Sequence, residues 1–414
     1  MEAFGTRLFV DPEATAQALV FVLGGVAIGS LSGLTPGLHV NSLALLLAAG
    51  APAVPGPPHL VGAALLAAGV VHSFLDVVPA LALGVPDASM ALAALPGHRL
   101  VIAGRGREAI RLSALGSTGA VLGAVPLAVP VTAAMRRLAP LLERHLPVVL
   151  AGVVAFLLVT ERAGRPRIGA MLAFAASGVL GVVALDLPTA GVLPTGDMLG
   201  PLLSGLFGAP VLFDAFRGGG VPPQGGHHVA TSRSAVLAAG AAGTVAGAIV
   251  GFVPGVSSAI AAVLALSVIP ASLGDRGFVV ATSGVNTANT VFALFAYVAL
   301  GTPRTGVLVA FDRAAAPMNV PLLLAAVGLA ACSGGVLVLL VGDRYLQTVG
   351  RLDYRRVSVT VLGVLAVAAF LFAGVVGVVG FAVAAVIGLL PVRFGTRRVH
   401  LMGVLIVPIA LPGV

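Results

Sequence analysis

Long apolar segments separated by short polar or charged connections make up most of the chain. Segments of roughly 20 apolar residues are long enough to cross a bilayer as helices. The pattern predicts such segments near residues 14–34, 60–78, 113–133, 147–160, 168–186, 233–252, 277–300, 319–341, 357–376, 378–391 and 399–413. Several are too short or too broken for an ordinary crossing, so we expect about 9 to 12 membrane segments.

The composition agrees with this pattern. Of 414 residues, 58% are hydrophobic and only 9% are charged, whereas an ordinary soluble domain carries roughly 25% charged residues. We therefore predict an all-α, multi-pass protein of the cell membrane. A soluble enzyme and a secreted disulfide scaffold are excluded. The net charge of +8 comes from an excess of basic over acidic residues. In membrane proteins such an excess is typical of cytoplasmic loops, so no nucleic-acid partner is predicted.

Two short motifs recur at nearly the same spacing. Gly33-Leu-Thr-Pro-Gly-Leu-His39 matches Gly251-Phe-Val-Pro-Gly-Val-Ser257, 218 positions later. Ala82-Leu-Gly-Val-Pro86 matches Ala299-Leu-Gly-Thr-Pro303, 217 positions later. Two matches in register predict two structural repeats, inverted if an odd number of crossings separates them, as in many secondary transporters. The predicted divisions are residues 1–213, a flexible Gly/Pro-rich linker over 214–231, and residues 232–414.

Each Pro-Gly pair is followed by a segment too short to cross. Residues 37–49 would form a helix about 20 Å long, and residues 255–269 one of about 22 Å, against a hydrocarbon core of about 30 Å. Proline donates no backbone hydrogen bond, and glycine allows backbone conformations that turn the chain. Each repeat is therefore expected to contain a broken or re-entrant half-helix, whose first N–H groups favour an anion.

Polar residues lie at all four breaks and form the candidate site. The candidate substrate-binding residues are Thr35, Pro36, Gly37, His39, Asn41, Gly84, Pro86, Pro254, Gly255, Ser257, Ser258, Thr302 and Pro303. The candidate residues for ion or proton coupling are His72, Asp76, Asp87, Asn286 and Asn289. His72 and Asp76 are four positions apart and could pair, while Asn286 and Asn289 share one face of a helix. Amides at membrane depth need partners, and a substrate or a cation can be that partner.

Each of these features also has a purely structural interpretation. The breaks could be kinks, His72 and Asp76 a satisfied internal pair, and the asparagines contacts between helices. A shared site explains all four breaks at once, whereas four separate kinks do not. His227 and His228 have no further ligands nearby, so no metal site is predicted.

These motifs, in this order, resemble the large membrane subunit of the tripartite tricarboxylate transporter family, TctA. The resemblance rests on a Pro-Gly pair in each half and on segments between them: Gly84–Asp87, Arg105–Ala109, Leu115–Ser117, Gly181–Asp186, Gly205–Gly208, Asn286–Asn289 and Leu300–Pro303. Arg304 stands where the family has a glycine after the last proline. The short chain is most similar to a compact archaeal-type branch of the family, for which citrate is not the favoured substrate.

The resemblance and the breaks together predict a secondary active transporter, not an enzyme. Its substrate would be a small organic anion, a carboxylate, bound between two half-helices near the midplane and coupled to Na⁺ or H⁺. No cofactor is expected beyond a bound Na⁺. The resemblance implies a small membrane subunit and an extracytoplasmic binding protein as partners, and a homo-oligomer stays open. The alternatives are a flippase for a polyprenyl-phosphate lipid carrier, a membrane-embedded enzyme using His39, His72 and Asp76, and a structural protein.

Overall fold

The chain forms a bundle of helices in a computed structural model. The structure describes residues 2–3, 6–7, 11–36, 38, 40–50, 54–83, 94–192, 198–215, 221–226, 228–253 and 258–411. Two short strands, β1 (Glu2–Ala3) and β2 (Thr6–Arg7), pair in antiparallel fashion.

The described residues of the first half form ten α-helices and one π-helical turn, Ser204–Gly208. The helices are α1 (Pro12–Gly33), α2 (Val40–Gly50), α3 (Pro58–Leu75), α4 (Val77–Leu83), α5 (Ala94–Ile102), α6 (Gly106–Arg144), α7 (Leu146–Val159), α8 (Arg165–Ala184), α9 (Leu199–Leu203) and α10 (Ala209–Ala215).

In the part of the second half that the structure describes, there are eight α-helices and two 3₁₀ turns, Ala271–Leu273 and Arg398–Met402. The helices are α11 (Arg233–Phe252), α12 (Ser258–Val268), α13 (Gly274–Leu300), α14 (Gly306–Arg313), α15 (Val320–Val349), α16 (Tyr354–Gly388), α17 (Leu390–Phe394) and α18 (Gly403–Ala410).

The prediction of an all-α polytopic membrane protein is confirmed. Within the described residues, eight helical segments are long and apolar enough to cross a membrane, and three shorter apolar helices accompany them. Many large apolar side chains point outward, for example Leu31, Val125 and Val148, which are 72%, 74% and 69% exposed. Such a surface suits lipid and not water. The segment Arg355–Phe394 is interrupted at Gly374, whose φ of 64° and ψ of −149° end one helix and begin the next.

Two long helices form the centre of the bundle. The segment Pro58–Leu83, made of α3 and α4, is almost entirely buried, and α13 is buried over most of its length. Pro79 has no N–H to offer the Leu75 carbonyl, so the helix is interrupted at Asp76. Gly301, in the left-handed conformation with φ 69°, ends α13 by donating its N–H to the Tyr297 carbonyl.

Glycines bring α1 close to α3 and α11 close to α13. A Cβ on five of these glycines would lie less than 3.0 Å from the facing helix, and a Cβ on Gly251 would lie 3.2 Å from the Phe292 side chain, so the absence of a side chain allows the close approach. In the first half the facing pairs are Gly25 with Ala64, Gly29 with Ala68, and Gly33 with Leu75. In the second half they are Gly243 with Ala281, Gly247 with Val285, and Gly251 with Phe292.

The second set of contacts repeats the first at the spacing found in the sequence. Each glycine of α11 lies 218 positions after its counterpart in α1, and each facing residue of α13 lies 217 positions after its counterpart in α3. In both sets the residue numbers increase together, so the paired helices run in the same direction. Helices α2 and α12 also correspond, with 11 residues each. This recurrence supports the predicted repeats.

The chain folds back after α1 and again after α11. Leu46, Leu47 and Gly50 of α2 line a cavity together with Gly25 of α1 and Ala64 of α3, so α2 returns along α1. Helix α12 also folds back. It begins beside Asn289 in the second half of α13, and five residues separate its end from the start of α13. We call these units the first hairpin (α1–α2) and the second hairpin (α11–α12).

Contacts between the halves fix the directions of the long helices. Helix α15 runs alongside α3, since Leu60 and Leu322 line one cavity and Gly334 packs on Phe74. Helix α6 runs opposite to α15, because Arg111 pairs with Asp343 and Gly335 lies against Thr118. Helix α13 runs with α6, as shown by the pairs Arg276–Glu108 and Ser283–Ser113. It follows that α13 runs opposite to α3, as inverted repeats would require.

These directions define two faces. The arginine-rich face carries the first turns of α6 and α13 and the last turn of α15, including Arg105, Arg111 and Arg276. The opposite face carries the first turns of α1, α3 and α15, where Asp11, His59 and Asn319 line one cavity.

The described part of the linker lies against the arginine-rich face. The Gln224 side chain accepts a hydrogen bond from the Gly106 N–H at 2.7 Å and donates one to the Val101 carbonyl at 3.1 Å. The Ala230 N–H donates to Glu108 Oε1 at 2.9 Å. These bonds attach the connection between the two halves to the loop before α6.

Candidate functional site

A buried carboxylate lies where α3 and α13 cross. Asn286 Nδ2 of α13 donates to Asp76 Oδ2 at 2.7 Å and also lies 3.4 Å from the Ser73 carbonyl oxygen. The Ser73 hydroxyl donates to Thr287 Oγ1 at 3.3 Å. Asp76 is only 3% exposed and Asn286 5%. Two predicted coupling residues, 210 positions apart, are therefore in direct contact.

His72, one helical turn before Asp76, faces the first hairpin. Its Nδ1 lies 2.9 Å from the Ser32 hydroxyl of α1, and its side chain is 1% exposed. Gly33, the last residue of α1, packs against the backbone of His72 and Asp76. The tip of the first hairpin, which contains Pro36, is therefore placed beside the buried carboxylate.

Asn289 faces the second hairpin in the corresponding way. Its Nδ2 donates to the hydroxyl of Ser258, the first residue of α12, at 3.1 Å. Gly251, near the end of α11, packs against the Asn289 carbonyl and the Phe292 side chain. Asn289 follows His72 by 217 positions, so corresponding residues of the two halves each bind a hydroxyl of a hairpin.

Together these residues form a polar cluster inside an apolar bundle. We call Ser32, His72, Ser73, Asp76, Ser258, Asn286, Thr287 and Asn289 the crossing cluster. Ionisable residues within membrane helices are costly, and they are typical of ion and proton pathways. The oxygens of Asp76, Ser73 and Thr287 are the kind of ligand that a hard cation prefers, and Asp76 and His72 can each hold a proton. The cluster can thus bind a cation or carry a proton.

The structure places other predicted residues elsewhere. The Thr35 hydroxyl donates to the Leu31 carbonyl at 2.7 Å and completes the last turn of α1, and Pro36 beside it is partly buried. Thr302 is exposed, and Pro303 lines a separate cavity with Arg304 and Arg313. The backbone of Asn41 lies in α2. Outside the described residues lie Gly37, His39, Gly84, Pro86, Asp87, Pro254, Gly255 and Ser257, together with His227 and the side chain of Asn41.

Three members of the crossing cluster were not predicted from the sequence. Ser32, Ser73 and Thr287 stand in apolar segments, where serine and threonine also serve as helix contacts. They could have been identified from their positions next to the predicted site residues. Ser73 follows His72 directly, Thr287 follows Asn286, and Ser32 precedes Pro36 by about one turn.

Comparisons with known proteins indicate the family of the chain. The model of the tripartite tricarboxylate transporter TctA family matches residues 19–403. An uncharacterized protein of Methanocaldococcus jannaschii is 24% identical over 408 residues, which cover 95% of this chain and 98% of that protein. No solved structure matches the chain. The family match spans both hairpins, both central helices and the linker, and the chain belongs to the tripartite tricarboxylate transporter TctA family.

Proposed function

We propose that this protein is the permease of a secondary active transporter for a small organic anion, a carboxylate. Membership of a tricarboxylate transporter family supports the class of substrate. The observation that carries the mechanism is the hydrogen bond of 2.7 Å between Asn286 and the buried Asp76 at the crossing of α3 and α13. Burying a carboxylate at this depth costs free energy, and a pair of apolar side chains would pack the crossing without that cost. Its presence there therefore favours a role in ion coupling.

The substrate would bind between the tips of the two hairpins. Each tip adjoins one central helix, at His72–Asp76 in the first half and at Asn289–Phe292 in the second. The N-terminal ends of the half-helices α2 and α12 begin there, and backbone N–H groups at such ends favour carboxylates. The corresponding contacts of the two halves support a site shared between inverted repeats.

The coupling ion would act at the crossing cluster. Na⁺ would bind there, or H⁺ would protonate one of its residues. When Asp76 is ionised, the Asn286 amide stabilises its charge, and a Na⁺ or H⁺ arriving with the substrate neutralises it. The ion is then released together with the anion on the other side. A tripartite family also suggests a small membrane subunit and a binding protein as partners.

The proposal is tested by uptake of radiolabelled citrate and of a panel of di- and monocarboxylates into proteoliposomes, with an imposed Na⁺ or pH gradient. Asp76→Asn should abolish gradient-driven uptake while substrate exchange across the membrane continues, because exchange needs binding but not net ion transfer. Asn289→Leu should weaken binding, measured as the loss of thermal stabilisation by the same acids, because it separates the second hairpin from α13.

Ser283→Ala is the matched control, because Ser283 lies on the same helix but binds Ser113 of α6 at 2.8 Å. It should retain uptake within a few-fold. Gradient-driven uptake by Asp76→Asn at the wild-type rate would place coupling elsewhere. If no acid of the panel is taken up or stabilises the wild-type chain, the proposed substrate class is wrong.

A further inference from the structure

We propose that Arg304 and Arg313 line an entry site for the carboxylate groups of the substrate, on the opposite face of the protein. This inference rests on the proposed function and adds a second anion site outside the crossing cluster. Both arginines line one cavity of about 220 Å³, formed by α14, α2 and the start of α9. At about 30 Å³ for each water, the cavity has room for about seven waters.

The position of α14 connects this cavity with the interior. Val307 packs on Gly69 of α3 and Phe311 packs on Gly62, so α14 runs opposite to α3 and towards the opposite face. Gly69 precedes His72 by about one turn. The first residues of α14 therefore lie nearly level with the crossing cluster, while Arg313 at its last turn is exposed.

Helix α2 forms the other wall of the cavity. Ala44 and Ala48 of α2 line it with Thr305 and Arg304. Because α2 begins at the tip of the first hairpin, the cavity follows α2 from the opposite face towards the proposed binding site. Small alanine side chains on this wall leave the space open.

The chemistry of the lining favours an anion. Within the described part of the chain, Arg313 makes no ion pair, and the Thr305 hydroxyl is buried without a hydrogen-bond partner. A buried hydroxyl is normally satisfied by protein, water or ligand. Guanidinium groups bind carboxylates through paired hydrogen bonds, which makes arginine well suited to a di- or tricarboxylate.

The sequence supports a specific role for Arg304. Arg304 follows Pro303 directly and lies two residues before the start of α14. Arg304 and Arg313 line the same cavity, so that two guanidinium groups face it. Arg304 would thereby select for substrates with more than one carboxylate.

A thiol reporter tests the cavity without any need for transport. Val309→Cys is introduced in a Cys332→Ala background, which removes the chain's single cysteine. Anionic and cationic methanethiosulfonates are compared by rate. The anionic reagent should be favoured, and the double variant Arg304→Gln/Arg313→Gln should lower the ratio of rates about tenfold. Arg144→Gln, an exposed arginine that does not line this cavity, should leave the ratio unchanged.

Transport then tests the role in substrate entry. The double variant should raise the KM for citrate about fivefold or more with a maximal velocity within twofold, and it should affect a monocarboxylate less. Arg304→Lys should restore part of the loss. An unchanged reagent ratio overturns the site even if citrate is transported. An altered ratio with no uptake by the wild type instead contradicts the proposed function.

An anionic lipid headgroup is the competing occupant, because the cavity lies near one face of the bundle. The measurements are therefore repeated in vesicles of phosphatidylcholine alone and of phosphatidylcholine with phosphatidylglycerol. The proposed site predicts the same change in KM in both. A change seen only with phosphatidylglycerol would assign the arginines to lipid and overturn the inference.

Discussion

Among single residues, Glu161 has an environment that fixes its charge. It lies in the loop between α7 and α8, and its Oε2 accepts hydrogen bonds from Thr396 Oγ1 at 2.9 Å and from Arg397 Nε at 3.0 Å, with His400 Nε2 2.9 Å away. Burial raises the pKa of this carboxyl, but the bonds from His400, Arg397 and Thr396 outweigh burial and lower the pKa to about 2. The carboxylate thus joins the loop after α7 to the start of the last helical segment.

Glu161 should make the stability of the protein depend on pH in the acid range. Its pKa is about 2 in the folded state, against an ordinary value of 4.5 for the unfolded chain, so the unfolded chain takes up the proton first as pH falls. The contribution is complete above about pH 5 and is lost as pH falls towards 2, with about 2 kcal/mol lost at pH 3.

Melting midpoints in detergent at pH 7, 5, 4 and 3 measure this effect. Glu161→Gln should be less stable than the wild type at pH 7, and the difference should shrink by about 2 kcal/mol between pH 7 and pH 3. A constant difference between the two proteins over this range would show that Glu161 does not carry the pH dependence.

At the same scale, the sequence drew attention to several polar residues of the crossing cluster but did not show how they pair. Asp76, Asn286 and Asn289 stand out because each is a polar residue in an apolar segment. Their partners depend on how α3 and α13 are rotated about their axes and where they cross, and this rotation has no local signature in the sequence. Ser258 was predicted as a substrate ligand, and the structure shows that it binds Asn289.

At the scale of helices, close packing through glycine sets the position of the second hairpin. A Cβ on Gly247 would lie 2.6 Å from the Val285 carbonyl oxygen and 3.1 Å from the Asn289 nitrogen, whereas nothing lies within 4 Å of a Cβ on Gly119. Both glycines are within helices. The two positions therefore allow the same substitution to be compared with and without a facing helix.

Gly247→Ala should destabilise the protein by about 1–3 kcal/mol, because the added methyl forces α11 away from α13. It should also weaken binding of substrate, since Asn289 and Ser258 move apart. Gly119→Ala should be neutral or stabilising by up to about 1 kcal/mol, owing to the better helix propensity of alanine. Melting in detergent measures both variants, and equal effects would contradict the role of close packing.

The sequence predicted long helices better than short ones. Most predicted segments match observed helices, since a run of apolar residues is a strong local signal. Helix α14, with eight residues, was not predicted, although it shapes the cavity of Arg304. Its formation depends on packing against Gly62 and Gly69 of α3, which are more than 230 positions away. Long-range packing of this kind overrides local propensity.

For the whole molecule, the distribution of arginine predicts the orientation in the membrane. The arginine-rich face carries Arg99, Arg105, Arg107, Arg111, Arg276, Arg344, Arg351, Arg355 and Arg356. Loops rich in Lys and Arg stay in the cytoplasm. We therefore expect the loops before α6 and after α15 to be cytoplasmic, and the first turn of α1 to lie on the other side, together with the cavity of Arg304 and Arg313.

Thiol labelling in intact cells measures this orientation. In the Cys332→Ala background, Ala14→Cys should react with a membrane-impermeant reagent, whereas Leu352→Cys should react only after the cells are permeabilised. Both positions are exposed. The reverse labelling pattern would indicate the opposite orientation in the membrane, with the arginine-lined cavity on the cytoplasmic side.

The repeat spacing, too, was visible in the sequence, but the direction of each half was not. Motifs 217 and 218 positions apart predict that two halves correspond. Whether they point the same way depends on contacts such as Arg276–Glu108 and Arg111–Asp343, which join distant parts of the chain. Corresponding positions also differ in charge, with Asp87 in the first half and Arg304 in the second.

Gly374 has a consequence for the match between protein and lipid. A straight helix over all 35 residues of α16 would be about 52 Å long, far beyond a hydrocarbon core of about 30 Å. The backbone at Gly374, with φ 64° and ψ −149°, is one that other residues rarely adopt, and a side chain there would overlap the Ala190 carbonyl. One backbone torsion therefore prevents a hydrophobic mismatch.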